Sequence, residues 1–248
     1  MSGDLISLRV LVVAGDVSVH ETWQKGVGQV SLPVQIEIAD GERGTDVVGT
    51  GGIDICIVDH GLPEAERAAV IWAGISVRPR PFIVVAAPRG TPRIDGVDAM
   101  VPQPADATEA YRLGEICARA RIPVRTLIVD DSVTTRRLVR KILNASRFVM
   151  DVHEASEGNV ALRQLRSGRF GVVFLDYNMP GLSGFDTLSE IRRANPDVAV
   201  VMITSTSDEK IVSRAHRSGA FGFLKKPFYP ADVDALLERY YGLHNAMS

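Results

Sequence analysis

The second half of the chain places acidic side chains directly after apolar segments. VVFL at 172–175 is followed by Asp176, and TLIV at 126–129 is followed by Asp130 and Asp131. If these segments are neighbouring strands, the carboxylates meet, and a like-charge pair at 4 Å costs about 4 kcal/mol at an effective dielectric constant of about 20. Such a cluster requires a proton or a cation, and carboxylate oxygens are ligands that suit Mg²⁺.

Two further side chains lie where apolar segments of the same half end. Thr204 closes the segment at 198–204, and Lys226 follows the segment at 221–225. A cation, a fixed ammonium group and a hydroxyl donor are what phosphoryl transfer requires, because its transition state spreads charge over the equatorial oxygens. An aspartate that accepts the group forms an acyl phosphate. Asp176 is the predicted nucleophile.

The same pattern occurs twice in the chain, and this repeat predicts the domain organisation. The matching pairs are RVLVVAG (9–15) with RTLIVDD (125–131), Asp59 with Asp176, Pro63 with Pro180, and GVDAMVPQP (96–104) with GAFGFLKKP (219–227). Because the pairs follow in the same order at almost the same spacing, we expect two domains of one fold, at 1–122 and 123–248.

Strand-like and helix-like segments alternate in each copy. In the second copy we predict strands at 125–130, 149–153, 172–176, 198–204 and 221–225, and helices at 132–144, 157–167, 184–195, 208–218 and 230–241. Apolar strands with little alternation indicate a sheet covered on both faces. The predicted fold class is therefore α/β, with two flavodoxin-like, doubly wound, five-stranded parallel-sheet domains. In such domains the functional crevice lies at the carboxyl ends of the strands.

The motifs of the second domain resemble the receiver domain of two-component response regulators, the CheY-like family. The residues that carry this resemblance are DD at 130–131, DYNMP at 176–180, Thr204 and KP at 226–227. The resemblance implies that Asp176 accepts a phosphoryl group from the phosphohistidine of a histidine kinase or a histidine phosphotransfer protein.

The resemblance also implies a role for each neighbouring residue. Asp131 and Asp176 are expected to bind Mg²⁺ directly, the backbone carbonyl of Asn178 to be a third protein ligand, and Asp130 to act through water. Thr204 and Lys226 are expected to hold the phosphoryl oxygens. Phe223 stands at the position of the family's aromatic switch, which turns inward when Thr204 moves toward the phosphoryl group and so changes a surface that binds a downstream protein.

The first domain departs from this pattern at most of the motif positions. Ala14 and Gly15 replace the acid pair, Ala87 replaces the threonine and Gln103 replaces the lysine, so that only Asp59 remains. Without the acids and the lysine, neither a cation nor a phosphoryl group is compensated, and we expect a degenerate receiver. Asp16, one position late, is a less favoured metal ligand.

The segment PRGTPRIDG (88–96) stands where the second domain has its fourth helix. Its two prolines and two glycines are incompatible with a regular helix, so the first domain is expected to lack that helix and to leave part of its sheet uncovered.

Composition excludes several classes of protein. A net charge of −2 argues against nucleic-acid binding, and the apolar segments are too short for a membrane-spanning helix. No signal peptide is evident, and Cys56 and Cys117 are expected to be buried reduced thiols, which predicts a cytoplasmic protein. The arginine-rich segment at 136–141 is interpreted as a solvated helix face, with a docking surface as the alternative, and Trp23 and Trp72 as core residues.

We therefore expect a two-component response regulator that is a phosphoacceptor and not an enzyme. Two alternatives remain open at this point. The chain could be the regulatory tandem-receiver part of a longer hybrid histidine kinase or diguanylate cyclase. The first domain could instead be a ligand-binding module that senses a nucleotide.

Overall fold

A computed structural model describes residues 7–205 and 209–243 of the chain. The chain divides into two compact units, and among the described residues the first comprises 7–121 and 241–243 and the second comprises 122–240. Each unit contains one five-stranded sheet in which every pair of neighbouring strands is parallel. The predicted fold class, with two doubly wound α/β domains, is confirmed.

The first unit alternates strands and helices except near its fourth strand. Its elements are β1 (Leu8–Val13), α1 (Val17–Val27), β2 (Val34–Ala39), α2 (Gly41–Gly49), β3 (Ile55–Asp59), α3 (Glu64–Ser76), β4 (Phe82–Ala87), β5 (Ala99–Pro102) and α4 (Ala107–Ala120). The strand order in the sheet is β2-β1-β3-β4-β5.

The second unit has a helix after every strand. Its elements are β6 (Val124–Val129), α5 (Val133–Asn144), β7 (Met150–Ala155), α6 (Gly158–Ser167), β8 (Val172–Asp176), α7 (Gly184–Ala194), β9 (Ala199–Thr204), α8 (Glu209–Arg217), β10 (Gly222–Lys225) and α9 (Pro230–Tyr241). The strand order is β10-β9-β8-β6-β7, which is the same topology as in the first sheet when the order is read from β7.

The central strands explain why the sequence shows apolar runs instead of alternation. Every residue of β3 and of β8 is buried, including the aspartate at the end of each strand. A strand in the middle of a parallel sheet is covered by helices on both faces, so both sets of side chains are apolar. Ser132 and Ser183 cap α5 and α7 by accepting hydrogen bonds from backbone amides of the first turn.

The predicted loss of the fourth helix in the first unit is confirmed. Residues 88–98, all of which the structure describes, form turns and extended backbone between β4 and β5. Ile94 and Val97 of this segment pack against the core that includes Ile71 and Val85. The sequence led us to expect that part of the sheet is uncovered. Instead, two apolar side chains of the irregular segment cover it.

Two expectations about aromatic and sulfur-containing side chains have different outcomes. Trp23 is fully buried, but the prediction that Trp72 lies in the core is wrong, since 70% of its surface is exposed.

Cys56 and Cys117 are buried and free, and burial raises the pKa of each thiol to about 12. Neither thiol is therefore a reactive thiolate near neutral pH.

None of the helices in the described part of the chain has the length and apolar character needed to cross a bilayer.

Candidate functional site

The topology of the second sheet brings the predicted acids together at one edge. Asp176 is the last residue of β8, and Asp130 comes directly after β6, which pairs with β8 in a register that places Val129 opposite Leu175. Because the strands are parallel, their carboxyl ends meet at this edge. The backbone N–H of Asp130 donates to Ala155 at the end of β7, which fixes the start of the turn.

Lys226 reaches the same edge from the outer strand. In the ladder between β9 and β10, Lys225 lies opposite Thr204, and the backbone N–H of Lys226 donates to the carbonyl of Thr204 at 2.7 Å. From there the Lys226 ammonium donates to Asp176 Oδ1 at 2.7 Å and to Asp130 Oδ2 at 3.1 Å. One cation thus bridges two buried carboxylates from two other strands.

Backbone amides hold the remaining oxygens of these two carboxylates. The N–H of Ser132 donates to Asp130 Oδ1 at 2.9 Å, and the N–H of Asn178 donates to Asp176 Oδ2 at 3.0 Å. Each carboxylate oxygen therefore accepts one hydrogen bond in the described structure, and a carboxylate oxygen has lone-pair capacity for one more partner. The acids are fixed in orientation without being saturated.

The other predicted site residues lie around this cluster with different exposures. Thr204 is buried at the end of β9, and Phe223 in β10 is half-buried and packs against the core of the unit. Asp131 and Asn178 are exposed, one after β6 and one after β8. The buried groups are thus Asp130, Asp176 and Thr204, while Asp131 and Asn178 form the solvent side of the edge.

Burial and charge shift the proton affinities of the central pair. Burial raises the pKa of Asp176, and the charge of Asp130 adds to this effect, while the hydrogen bond and charge of Lys226 oppose it without cancelling it. Burial lowers the pKa of Lys226, but the hydrogen bonds and charges of Asp176 and Asp130 outweigh it, and the pKa is raised overall. Lys226 is therefore a permanent cation, and the ionised form of Asp176 is disfavoured by its surroundings.

The donor set fits a divalent cation that takes only part of its ligands from protein. Among residues 7–205 and 209–243, no three His, Cys, Asp or Glu side chains converge closely enough to hold a metal by themselves. Mg²⁺ is usually bound by one or two carboxylates together with waters and phosphate oxygens. Asp130, Asp131 and Asp176 against Lys226 leave a formal charge of −2 at this edge, which Mg²⁺ would balance.

The arginine-rich helix α5 is only partly a solvated face, which corrects the interpretation of 136–141. Arg136 donates to Glu154 Oε2 at 3.0 Å, and Arg140 donates to Glu154 Oε1 at 2.7 Å. Arg137 and Lys141 are exposed. Burial raises the pKa of Glu154, but the hydrogen bonds from Arg140 and Arg136 outweigh it and hold that pKa low. The two inward arginines therefore serve the fold of this unit.

At the positions that correspond to Asp130, Asp131, Asp176 and Lys226, the first unit has one acid and no lysine. Asp59 ends β3 and is buried, and the Gln103 amide donates to its Oδ1 at 2.7 Å while the N–H of Gly61 donates to its Oδ2 at 3.1 Å. Gln103 stands where Lys226 stands in the second unit and makes the equivalent hydrogen bond without a charge. Asp16 accepts a hydrogen bond from the N–H of Ser18 and caps α1, so its carboxylate is used for the helix.

Residues 126–238 match the family model of the response regulator receiver domain. The chemotaxis protein CheY-3 of Vibrio cholerae serotype O1 is 36% identical over 118 residues, which are 47% of this chain and 90% of that protein. The chain belongs to the response regulator receiver family. The matched region contains the whole cluster of Asp130, Asp176 and Lys226, so the second unit is the receiver to which the match applies.

Two other relatives extend the comparison. The cyclic di-GMP phosphodiesterase response regulator RpfG of Xanthomonas campestris pv. campestris is 29% identical over 134 residues, and the match covers 53% of this chain but only 35% of that protein. The solved structure of a probable two-component system response regulator/GGDEF domain protein covers 95% of this chain and 98% of its own, with a TM-score of 0.58 and 20% identity. At that identity the likeness establishes the fold alone.

Sequence patterns located the acids and the lysine of the second unit. They did not indicate that Gln103 bonds to Asp59 or that Arg136 bonds to the carbonyls of Asp130 and Asp131. The link between Gln103 and Asp59 depends on strand register in the first sheet, and the contacts of Arg136 depend on the path of α5. The one available signal was positional, because Gln103 occupies the lysine position of the repeat.

Proposed function

We propose that the second unit accepts a phosphoryl group on Asp176 and that Mg²⁺ assists this reaction. The observation that carries the proposal is the bridge from the Lys226 ammonium to Asp176 and Asp130 at the carboxyl edge of the sheet. The donor is a histidine kinase or a histidine phosphotransfer protein, as the resemblance to receivers implies. The domain bounds 1–122 and 123–248 and a cytoplasmic location belong to the same proposal.

In the proposed step, a carboxylate oxygen of Asp176 attacks the phosphorus of a phosphohistidine. The new P–O bond forms as the P–N bond breaks, and the imidazole leaves with the bonding pair and takes up a proton. The amide of Asn178 and the ammonium of Lys226 orient the two oxygens of Asp176. Mg²⁺ supplies neutralisation of the charge on the phosphoryl oxygens. Asp130, Asp131, Asp176 and the carbonyl of Asn178 would hold it.

Lys226 and Thr204 have assigned roles once the acyl phosphate exists. Lys226 exchanges part of its contact with Asp176 for a phosphoryl oxygen, since the carboxylate of Asp176 loses its negative charge when it becomes part of the acyl phosphate. Thr204 donates its hydroxyl to another oxygen, and Phe223 turns toward the space that the threonine vacates. The changed surface near β10 is then read by a downstream protein, so the chain acts as a signalling protein and not as an enzyme on other substrates.

Treatment of the full chain with acetyl phosphate and Mg²⁺ is expected to add one phosphoryl group, located on Asp176. The acceptor is identified by reducing the acyl phosphate with borohydride, digesting the chain and finding which aspartate has become homoserine. Modification at Asp59 would contradict the degenerate first receiver, and modification of neither residue would contradict the proposed function.

Mg²⁺ is expected to stabilise the chain through the second unit alone. A ligand that binds only the folded state adds about 2.7 kcal/mol to the free energy of unfolding at a hundredfold excess over its dissociation constant. The melting temperature in Mg²⁺ and in EDTA measures this effect, and Asp131→Asn should remove it.

Asp16→Asn is the matched control for the Mg²⁺ effect. In the repeat, Asp16 comes one position after the residue that aligns with Asp131, and asparagine also caps helices well. Its Mg²⁺-dependent shift should equal that of the unaltered chain. A loss of the shift in Asp16→Asn, with retention in Asp131→Asn, would assign the metal to the first unit.

A further inference from the structure

Arg136 connects the acid pair to the neighbouring strand through the backbone. Its Nη1 donates to the carbonyl of Asp130 at 2.8 Å and to the carbonyl of Asp131 at 3.3 Å, and its Nε donates to Glu154 at 3.0 Å. Only 11% of the Arg136 side chain is exposed. The guanidinium thus connects Glu154 of β7 to the turn that contains Asp130 and Asp131.

These contacts restrict the turn at the two positions that matter for a bound cation. The carbonyls belong to the peptide groups that directly follow Asp130 and Asp131, so holding both of them limits rotation of the backbone around each acid. A carbonyl oxygen that accepts from a guanidinium has one lone pair fewer for another partner. The guanidinium thus occupies the carbonyls of the turn and leaves its carboxylates as the ligands for a cation.

Arg140 provides an internal comparison on the same helix. It donates to the other oxygen of Glu154, and its Nη1 donates to the carbonyl of Val152 in β7 at 3.0 Å. Both arginines thus share Glu154 and both tie α5 to β7, but within the described residues only Arg136 has contacts to the carbonyls of the acid pair. The contacts to the two carbonyls, together with the deeper burial of Arg136, are what distinguish it from Arg140.

We infer that Arg136 is a positioning residue for the Mg²⁺ ligands, acting through the carbonyls of Asp130 and Asp131. The inference rests on the proposed function, because it concerns the cation site of the same edge. Glu154 offsets one of the two positive charges of Arg136 and Arg140, which reduces the repulsion between the Arg136 guanidinium and a cation at this edge. Loss of Arg136 would not remove either acid, but it would make the backbone of their turn less restricted and so weaken metal binding.

The test compares metal binding and labelling in the full chain and in Arg136→Gln, Arg136→Lys and Arg140→Gln. Electron paramagnetic resonance of Mn²⁺, used as the probe ion, gives the dissociation constant, and the labelling rate with acetyl phosphate is measured as a function of Mg²⁺ concentration. Groups that orient metal ligands typically change affinity by about 10-fold or more when removed, which is the expected weakening for Arg136→Gln. Its labelling rate at saturating Mg²⁺ should stay close to that of the unaltered chain.

The two other variants separate positioning from a general effect on the fold. Arg140→Gln should keep its metal affinity within about twofold, as expected for a substitution away from the site. Arg136→Lys should recover part of the affinity lost in Arg136→Gln, because an ammonium can still donate to a carbonyl.

Four results would overturn the inference. Equal weakening by Arg136→Gln and Arg140→Gln would assign the effect to Glu154 and the packing of α5. A lower saturating rate with unchanged metal affinity would place Arg136 in another role. Unchanged binding in Arg136→Gln, beside normal binding in the unaltered chain, would refute the inference alone, whereas absence of Mn²⁺ binding and of labelling in the unaltered chain would refute the proposed function and the inference with it.

Discussion

Replacing Asp176 with asparagine is expected to abolish phosphoryl incorporation from acetyl phosphate completely. The amide has no anionic oxygen to attack phosphorus, and Asp59 at the end of the equivalent strand accepts from the neutral amide of Gln103 and not from a lysine. Intact-mass analysis should show one added phosphoryl group in the unaltered chain and none in Asp176→Asn. Asp59→Asn is the matched control, since Asp59 ends the equivalent strand, and it should be labelled like the unaltered chain.

The same variant should remain folded and be more stable than the unaltered chain in EDTA at neutral pH. Folding raises the pKa of Asp176, so the unfolded chain loses this proton at a lower pH than the folded chain. Stability is therefore lost as the pH rises from the unfolded pKa, near 3.8, through the folded pKa, and it stays reduced above it. Asparagine removes that loss, and the difference between the two chains should vanish as the pH falls toward 3.8. Residual labelling of a folded Asp176→Asn chain would remove Asp176 from its proposed role.

Much of the fold is predictable because the sheet imposes a strong pattern on the sequence. A central strand such as VVFLD is buried on both faces, so it reads as an uninterrupted apolar run that ends on a polar residue. The turn that follows must leave the sheet at its carboxyl edge, which fixes where Asp176 and Asp130 meet. Repetition of these segments then predicts two domains, and the predicted bounds of the elements in the second unit differ from the observed ones by no more than a few residues.

Helix faces were harder to predict where the helix is apolar all round. In α3 the buried residues include Val70, Ile71 and Gly74, and Trp72 lies between them in sequence but off their face. With apolar residues at nearly every position from 68 to 75, the sequence has no polar stripe to indicate which side meets the sheet. The orientation is decided by tertiary packing of Ile71 with the sheet, which a local pattern does not contain.

Side-chain partners across the sequence were the least predictable part of the site. Gln103 could be aligned with Lys226, but its hydrogen bond to Asp59 depends on the register of three strands. The arginines of α5 looked like a solvated face because their composition is polar, yet Glu154 from β7 draws two of them inward. A carboxylate distant in sequence changes a surface helix into part of the support of the site.

Replacing Lys226 with methionine should cause the largest loss of stability among single substitutions at this edge. Asp130 and Asp176 are 4% and 8% exposed in their side chains, and removal of the ammonium leaves both carboxylates without a cation. Breaking a fully buried pair costs about 3–5 kcal/mol, and because the lysine is 30% exposed we expect about 2 kcal/mol. Native-state hydrogen exchange of amides in β6, β8 and β9, in EDTA at neutral pH, measures the free energy of opening in this unit.

The pH dependence of that loss identifies its cause. Lys226 has a folded pKa raised above 10.5, so its stabilising effect is complete at neutral pH and is lost only as the pH rises through the folded pKa. In Lys226→Met, Asp176 loses the partner that opposes the rise of its pKa, so the folded chain holds this proton more readily than the unfolded chain, and the variant should regain stability as the pH falls toward 3.8, the ordinary pKa of aspartate. Lys225→Met is the control, because this neighbouring lysine is exposed and is the last residue of β10, directly before Lys226. A loss of stability in Lys226→Met that is independent of pH, or that Lys225→Met shares, would assign the effect to packing of the strand and not to the two carboxylates.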